Sequence, residues 1–209
     1  MSMRTKLTTL RLIASGNARE RRNASFMLRM LLRGIDLRGV TTSELGLDPT
    51  RSYWFSNSGG PDLDVVLRSL SLSPDDRALD IGCGKGGAMI TMAKYSLARV
   101  DGVEVSPALV DTARRHLRRA NVANSTVFCC DAAEFTDFDA YTLLYLYNPF
   151  PAVIMKRVMD NLTLSIRRQP RRMTLIYKNP TCHDLLAASG FRKTREFEHS
   201  PLPFYVYCF

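Results

Sequence analysis

The sequence predicts an α/β fold: a doubly wound, mostly parallel sheet with helices on both faces, preceded by a helical extension. From residue 77 onward, short apolar segments alternate with helical segments of about 10 to 15 residues. The apolar segments are nearly uniform in hydrophobicity, which is typical of strands buried on both faces. The last two strands follow each other without an intervening helix, so we expect them to be antiparallel neighbours at one edge of the sheet.

Length and composition are those of a globular protein. The chain has 209 residues, of which 45% are hydrophobic and 23% charged, and these fractions exclude a generally disordered chain. We expect a basic helical extension with an aromatic lid segment over residues 1–59 and a single domain over residues 60–209. No segment reaches the ~18 to 20 apolar residues of a membrane helix, and no clear secretory signal is present. We therefore expect a cytoplasmic protein with no membrane partner.

Cysteine usage argues against a disulfide framework and against a metal site. The chain has five cysteines, an odd number, and two of them are adjacent. No Cys-x-x-Cys pair occurs. We predict reduced thiols and no bound metal.

Positive charge is concentrated at the N-terminus. Residues 1–40 contain nine basic and two acidic residues, or +7 of the total net charge of +9. Residues 18–35 predict a helix that turns apolar side chains inward and arginines outward. The inward set is Ala24, Leu28, Leu31 and Ile35, and the outward set is Arg22, Arg29 and Arg33. A stripe of arginines can face solvent, or it can bind an acidic protein surface or phosphate groups, so nucleic acid is one of the partners that the sequence allows.

The remaining elements are predicted in chain order. Residues 40–60 predict a loop, which contains Tyr53, Trp54 and Phe55 and ends in a glycine pair, as in an aromatic lid over a hinge. A helix over residues 62–72, with Pro61 at its start, turns Leu63, Val66, Leu67 and Leu70 inward. Strands follow at 77–81, 100–105, 126–130, 141–147, 173–177, 191–197 and 204–209. Helices are predicted at 86–95, at 107–120 with Ser106 as N-cap, at 151–166 and at 183–189.

A glycine-rich turn lies where the first strand meets the next helix. Gly82, Gly84 and Gly87 fit the GxGxxG pattern of dinucleotide sites, whereas Gly82, Gly84 and Gly86 fit GxGxG preceded by an acid, Asp80. Position alone does not decide between the two patterns. A carboxylate two residues before the first glycine is better explained by a cationic ligand than by a pyrophosphate. S-adenosylmethionine carries an ammonium and a sulfonium, and it carries no phosphate.

Two further acids end the next two strands. Glu104 ends the second strand, where a carboxylate can accept hydrogen bonds from both hydroxyls of a ribose. Asp131 ends the third strand and could accept from an exocyclic adenine amine, with the main-chain N–H of Ala132 serving a ring nitrogen. Parallel strands end at one crevice, so we expect the three acids to face a single ligand.

At these residues the chain resembles the class I S-adenosylmethionine-dependent methyltransferases. The resemblance covers residues 60–209 and implies a seven-stranded sheet whose last strand is antiparallel. It implies Asp80, Gly82, Cys83 and Gly84 around the methionine part of the cofactor. It further implies Glu104 on the ribose with Val105 and Ser106 beside it, and Asp131 with Ala132 at the adenine. Lys85 is expected to point outward into solvent, away from a cationic cofactor.

The segment after the fourth strand resembles the acceptor loop of amine-methylating members of the family. Asn148-Pro149-Phe150 would place a side-chain oxygen and an aromatic ring beside the transferred methyl group, so Asn148 and Phe150 are the candidate catalytic residues. More narrowly, the chain is similar to small bacterial methyltransferases with this motif and distantly similar to non-SET lysine methyltransferases. One proline separates Asn148 from Phe150 instead of two, which disfavours a nucleobase. His116 is expected on a helix surface, and no base is evident.

The predicted function is therefore methyl transfer from S-adenosylmethionine to an amine of a protein or a small molecule. One alternative is a non-catalytic RNA- or protein-binding module on the same fold. A second is an NAD-dependent oxidoreductase that uses Gly82, Gly84 and Gly87. For the second, neither a separate catalytic domain nor a Tyr-x-x-x-Lys motif is evident.

Overall fold

A computed structural model describes residues 16–41, 43, 44, 46, 48 and 56–209. Its centre is one seven-stranded sheet with the strand order β3-β2-β1-β4-β5-β7-β6. The strands are β1 (Arg77–Ile81), β2 (Arg99–Glu104), β3 (Val127–Cys129), β4 (Leu143–Tyr147), β5 (Thr174–Lys178), β6 (Arg192–Phe197) and β7 (Phe204–Cys208). The predicted fold class is confirmed, and each predicted strand is present to within two residues at either end.

The closing strand pair is antiparallel, as predicted. Strands β1 to β5 pair in parallel, whereas β7 runs antiparallel to both β5 and β6. Strand β6 forms one edge of the sheet, and it is mostly exposed and rich in charged residues. Charged side chains on an edge strand oppose pairing with other chains.

Helices cover both faces of the sheet. They are α1 (Ala18–Leu32), α2 (Pro61–Arg68), α3 (Gly87–Met92), α4 (Pro107–Arg119), α5 (Ala152–Arg168) and α6 (His183–Ala188), with a short 3-10 helix at Ala93–Tyr95. Helices α1 to α4 contribute to one hydrophobic core, and α5 and α6 contribute to the other. Within the described ranges, no helix combines the length and apolarity that crossing a bilayer requires.

The helix of the extension buries part of the predicted inward set, together with two residues that the prediction left out. Helix α1 begins with a capping box between Asn17 and Glu20, which satisfies two free N–H groups. Its buried side chains are Ala24, Phe26 and Met30, whereas Leu28 and Leu31 are only half-buried. The prediction was right for the buried Ala24 and Ile35 and for the exposed arginines of the outward set. It was wrong for the two leucines, because the bulky Phe26 and Met30, one turn apart, pack into the first core in their place. The expected lid residues Tyr53, Trp54 and Phe55 lie outside the described residues.

The segment after α1, residues 34–38, attaches the extension to the glycine loop. Its contacts show that two predictions were wrong. His116 is buried and not on the helix surface, because its ring lies between this segment and the loop. The main-chain N–H of Asp36 donates to its Nε2 at 3.3 Å, and its Nδ1 donates to the carbonyl of Lys85 at 3.1 Å. Lys85 does not point into solvent, since it is also buried and donates from Nζ to the Arg38 carbonyl at 2.5 Å.

The contacts of His116 predict a pH dependence of stability. The ring must stay neutral to accept from Asp36, and burial lowers its pKa below the ordinary 6.5. The unfolded chain therefore binds more protons below pH 6.5, so stability is complete above that pH and falls as the pH decreases. We expect the melting temperature of wild type to fall more between pH 7.5 and 5.5 than that of His116→Gln, whose amide can make both bonds without titrating. Equal pH dependence in both proteins would contradict this role.

Candidate active site

A cavity of about 390 Å³ opens at the carboxyl ends of the parallel strands. This volume lies in the range of small-molecule sites. The three acids predicted from the sequence all line it, and so do Gly82, Cys83, Val105 and Ala132. The fourth-strand segment Tyr147–Phe150 forms a further part of its wall. The structure thus brings together most of the predicted site residues in the crevice where open α/β sheets bind ligands.

The glycine loop between β1 and α3 needs glycine for its geometry. Gly82, Gly84 and Gly86 have φ values of +77°, +53° and +81°, which side-chain-bearing residues rarely adopt. Gly82 also approaches the fourth-strand loop, because a Cβ at this position would lie 2.4 Å from Cβ of Pro149. The loop is held to β2 by the main-chain N–H groups of Gly82 and Cys83, which both donate to the Val103 carbonyl.

Asp80 is the most electrostatically unusual group of the cavity. Its side chain is 2% exposed, and Oδ2 has no hydrogen-bond partner among the described residues. Burial, and secondarily the nearby Glu104 carboxylate, raise the pKa of Asp80 to about 8. A buried carboxyl group without a partner is costly, so the side chain is poised to receive a cation or a hydrogen-bond donor from a ligand.

Glu104 ties the glycine loop to the end of β2. Its Oε2 accepts from the main-chain N–H of Gly84 at 2.9 Å, and its Oε1 accepts from that of Ser106 at 3.0 Å. Burial raises the pKa of Glu104, while the two N–H groups oppose the rise. Each carboxylate oxygen keeps acceptor capacity for a ligand. Ser106 itself turns away from the cavity, since its hydroxyl caps α4 by accepting from the Leu109 N–H.

Asp131 and the side chains beside it complete the far end of the cavity. The carboxylate accepts from the main-chain N–H of Ala133 at 2.8 Å, which orients it at the end of β3. Ala132 is buried, whereas Val105 is 40% exposed at the cavity rim. Cys83 is buried, and burial raises the pKa of its thiol, so this cysteine is an inert part of the wall.

The fourth-strand loop holds Asn148 in an unusual conformation. Its φ is +36°, a value that asparagine tolerates better than most residues. Its Oδ1 accepts from the hydroxyls of Thr181 at 2.7 Å and of Tyr177 at 3.3 Å. The predicted oxygen is therefore beside the cavity but already bonded to side chains of the segment around β5. Phe150 is buried and lines the cavity, as expected for an aromatic wall.

Sequence reasoning missed one residue that lines the cavity and one buried cation beside the cavity wall. Asn57 lines the cavity. A Cβ at Gly87 would lie 2.0 Å from Oδ1 of Asn57. The missing side chain of Gly87 therefore leaves space for the segment around Asn57 to pass the glycine loop. Lys178, at the end of β5, is buried. Its Nζ lies 4.4 Å from the ring centroid of Tyr147. Burial lowers the pKa of Lys178 to about 8, opposed by Asp62. The basic character of Lys178 hid its burial, although it follows an apolar strand pattern.

The histidines other than His116 lie away from the three acids. Nδ1 of His183 bonds the Tyr207 hydroxyl at 2.9 Å. Nε2 of His199 donates to the Asp62 carbonyl at 2.9 Å. Neither ring lines the cavity, so neither supplies an evident base.

Comparison with known proteins agrees with this site. A family model for a methyltransferase domain matches residues 78–167, the span from β1 through most of α5. This segment is similar to methyltransferase domains. It contains the glycine loop, all three acids and the Asn-Pro-Phe segment.

Among similar sequences, a sphingolipid C9-methyltransferase of Gibberella zeae is 27% identical over 175 residues, or 77% of this chain and 30% of that protein. A 23S rRNA (uracil(1939)-C(5))-methyltransferase of Edwardsiella ictaluri is 29% identical over 141 residues, or 62% of this chain and 30% of that protein. The chain therefore spans about a third of the length of these relatives.

Solved structures show the same fold. An RNA methyltransferase from Salinibacter ruber in complex with S-adenosyl-L-homocysteine has a TM-score of 0.57 and 20% identity, over 71% of this chain and 90% of that one. A precorrin-6y C5,15-methyltransferase from Geobacter metallireducens has a TM-score of 0.57 and 16% identity, over 72% and 87% of the two chains. At 20% identity or less, these structures show that the chain shares its fold with methyltransferases.

Proposed function

We propose that the protein transfers a methyl group from S-adenosylmethionine to an amine of a protein or a small molecule. The observation that carries this proposal is the buried Oδ2 of Asp80 in the wall of the cavity, which has no hydrogen-bond partner in the part of the chain that the structure describes. A nicotinamide dinucleotide would bring a negatively charged diphosphate to the glycine loop, next to Asp80 and Glu104. A ligand with an ammonium group would instead meet the charge that these carboxylates require.

The remaining residues of the cavity fit the other parts of this cofactor. Glu104 retains acceptor capacity for the ribose hydroxyls, and Asp131 with Ala132 would serve the adenine edge. The turn at Gly82 lets main chain approach the methionine part closely. When bound, the cofactor supplies an electrophilic methyl group on its sulfonium.

The acceptor side of the cavity is formed by Tyr147, Asn148 and Phe150. Thr181 is exposed, so an incoming amine can replace its hydroxyl as donor to Oδ1 of Asn148 while Thr181 bonds water. Tyr177 would keep the amide oriented during this exchange. The aromatic rings of Tyr147 and Phe150 can exclude water and favour a cationic group beside them.

For methyl transfer to nitrogen, the main task of the protein is to position the two reactants. The nucleophile must approach the methyl carbon in line, at about 3 Å, and must present a lone pair. Hydrogen bonding of the amine to an oxygen such as Oδ1 of Asn148 orients that lone pair. The similarity to small bacterial methyltransferases with this motif and to non-SET lysine methyltransferases stays a prediction.

Titration calorimetry tests the cofactor part of the proposal. We expect S-adenosylmethionine to bind and NADH not to bind. Glu104→Ala should weaken S-adenosylmethionine binding by roughly tenfold to 100-fold, because it removes buried hydrogen bonds to a charged acceptor. The matched control is Glu134→Ala, which removes an exposed carboxylate near the same strand end. Equal affinity in wild type and Glu104→Ala, each shown to be folded by thermal melting, would contradict the proposal.

The acceptor part needs a test of the methylated product. The protein is incubated with S-[methyl-³H]adenosylmethionine and a bacterial lysate separated into protein, nucleic acid and small-molecule fractions. We expect label in the protein or small-molecule fraction that survives mild alkali, as an N-methyl group does. Label released as volatile methanol would indicate a carboxyl ester, and label confined to nucleic acid would overturn the predicted acceptor class.

A further inference from the structure

Arginines from two separate segments lie on neighbouring parts of the surface. Helix α4 exposes Arg115, Arg118 and Arg119, and the end of α1 exposes Arg29 and Arg33. The two groups meet where the Arg119 guanidinium donates to the Gly34 carbonyl, directly after Arg33. We refer to these five side chains as the arginine patch.

None of the five arginines of the patch forms a salt bridge with a carboxylate among the described residues. Asp36, the acid nearest in sequence to Arg33, is already paired with Arg38. The first acid of α4, Asp111, lies beside Arg114 and outside the patch. Of the five arginines, Arg119 bonds a carbonyl and Arg115 a threonine hydroxyl, and neither bond reduces their positive charge. The net charge of residues 41–209 is only +2, so the sequence total does not indicate this local excess of positive charge on α4.

The position of the patch links it to the glycine loop. The segment from Gly34 to Arg38 runs from Arg119 to Lys85, with a hydrogen bond at each end. His116, one turn from Arg119 along α4, holds the middle of this segment. A partner bound on the patch would therefore lie along the segment that leads to the cofactor-loop side of the cavity.

We infer that the arginine patch binds the phosphate backbone of RNA. Guanidinium groups match phosphate oxygens in a bidentate geometry, and rows of arginine supply sequence-independent affinity. Arg115 and Arg119 are four residues apart on α4, or about 6 Å along the helix axis, and so offer successive contacts to an extended polyanion. This inference concerns binding alone and is independent of the proposed methyl transfer.

Anionic lipid is the competing source of phosphate, and the surface favours RNA. Membrane-surface helices combine basic residues with a broad apolar face that enters the lipid. Among the described residues, the large apolar side chains that are exposed include only one next to the patch, Leu32. One leucine offers little apolar area for insertion, whereas the charge is sufficient for phosphate contacts.

The test measures binding of the full chain to a fluorescein-labelled single-stranded RNA of 20 nucleotides by anisotropy, from 50 to 200 mM salt. We expect Arg115→Glu/Arg118→Glu to weaken binding by at least about tenfold at 100 mM salt. The slope of log K against log salt should fall by about 1.4, because each lost contact to a single strand contributes about 0.7. The control Arg157→Glu/Arg167→Glu makes the same change in net charge on α5, across the sheet.

Three outcomes would overturn the inference. Equal weakening by both double variants would show that only net charge matters. Unchanged RNA binding in the patch variant would exclude the patch itself. Binding of wild type to phosphatidylserine vesicles but not to RNA would assign the patch to membranes. Each variant is first checked for thermal stability and for S-adenosylmethionine binding, so a loss confined to RNA is separate from any failure of the proposed function.

Discussion

Replacing Asp80 with asparagine is expected to weaken S-adenosylmethionine binding by about 100-fold or more. Removing one partner of a buried charge pair costs about 3 to 5 kcal/mol. Asp80 is 2% exposed, and no described residue bonds its Oδ2. Asparagine preserves the size of the side chain but cannot carry the negative charge that the cofactor's ammonium requires. Titration calorimetry measures the change directly.

The same experiment reports the proton on Asp80. Because burial raises its pKa to about 8, the empty site holds a proton at pH 7 that a bound ammonium must displace. The wild-type affinity should therefore increase as the pH rises toward 8. The binding enthalpy at pH 7 should also depend on the ionisation enthalpy of the buffer, because a proton is released. Neither effect should remain in Asp80→Asn.

The control for this variant is Asp75→Asn, which makes the same substitution at an exposed acid outside the cavity. It should bind S-adenosylmethionine as wild type does. If Asp80→Asn bound S-adenosylmethionine as wild type does, or if both variants lost the same affinity, Asp80 would not be the group that binds the cofactor's ammonium.

Replacing Gly82 with alanine is expected to cause the largest loss of stability among substitutions in the glycine loop. A Cβ at Gly82 would lie 2.4 Å from Cβ of Pro149, so the glycine loop and the acceptor loop would have to separate. Overpacking of this kind costs about 1 to 3 kcal/mol, and the φ of +77° adds about 1 to 2 kcal/mol for a residue with a side chain. We expect a fall in melting temperature of roughly 5 to 15 °C together with loss of cofactor binding.

Gly46 provides a matched control for the backbone part of this cost. Its φ is +63°, but no described atom lies within 4 Å of the position of its Cβ. Gly46→Ala should therefore show only the backbone strain, with a fall of roughly 2 to 8 °C and unchanged cofactor affinity. If the two variants lost equal stability and both kept S-adenosylmethionine binding, the contact between Gly82 and Pro149 would not matter to the site.

The sheet and the three acids were predictable because local patterns specify them. Uniformly apolar strands separated by amphipathic helices leave few alternatives to a doubly wound sheet. Asp80, Glu104 and Asp131 each follow or end such a strand, and the sheet itself brings their side chains to one cavity. The cap at Ser106 followed from Ser-Pro at a helix start.

The errors concern residues whose surroundings come from distant parts of the chain. Lys85 was predicted to point away from a cationic cofactor, and His116 was predicted to lie on a helix surface. The segment after α1 covers both. On α1 only Leu28 and Leu31 were misassigned, because their helical spacing favoured them whereas Phe26 and Met30 fill the core. Lys178 ends an apolar strand, but its charge argues against burial, and the aromatic rings beside it come from β4 and β7.

The most direct test of the account is a crystal structure of the protein soaked with S-adenosylmethionine. The account predicts density in the cavity at the ends of β1, β2 and β3, with the amino group within hydrogen-bond distance of Asp80 and the ribose hydroxyls on Glu104. An empty cavity at saturating ligand, or a diphosphate-bearing nucleotide seated on the glycine loop, would contradict it.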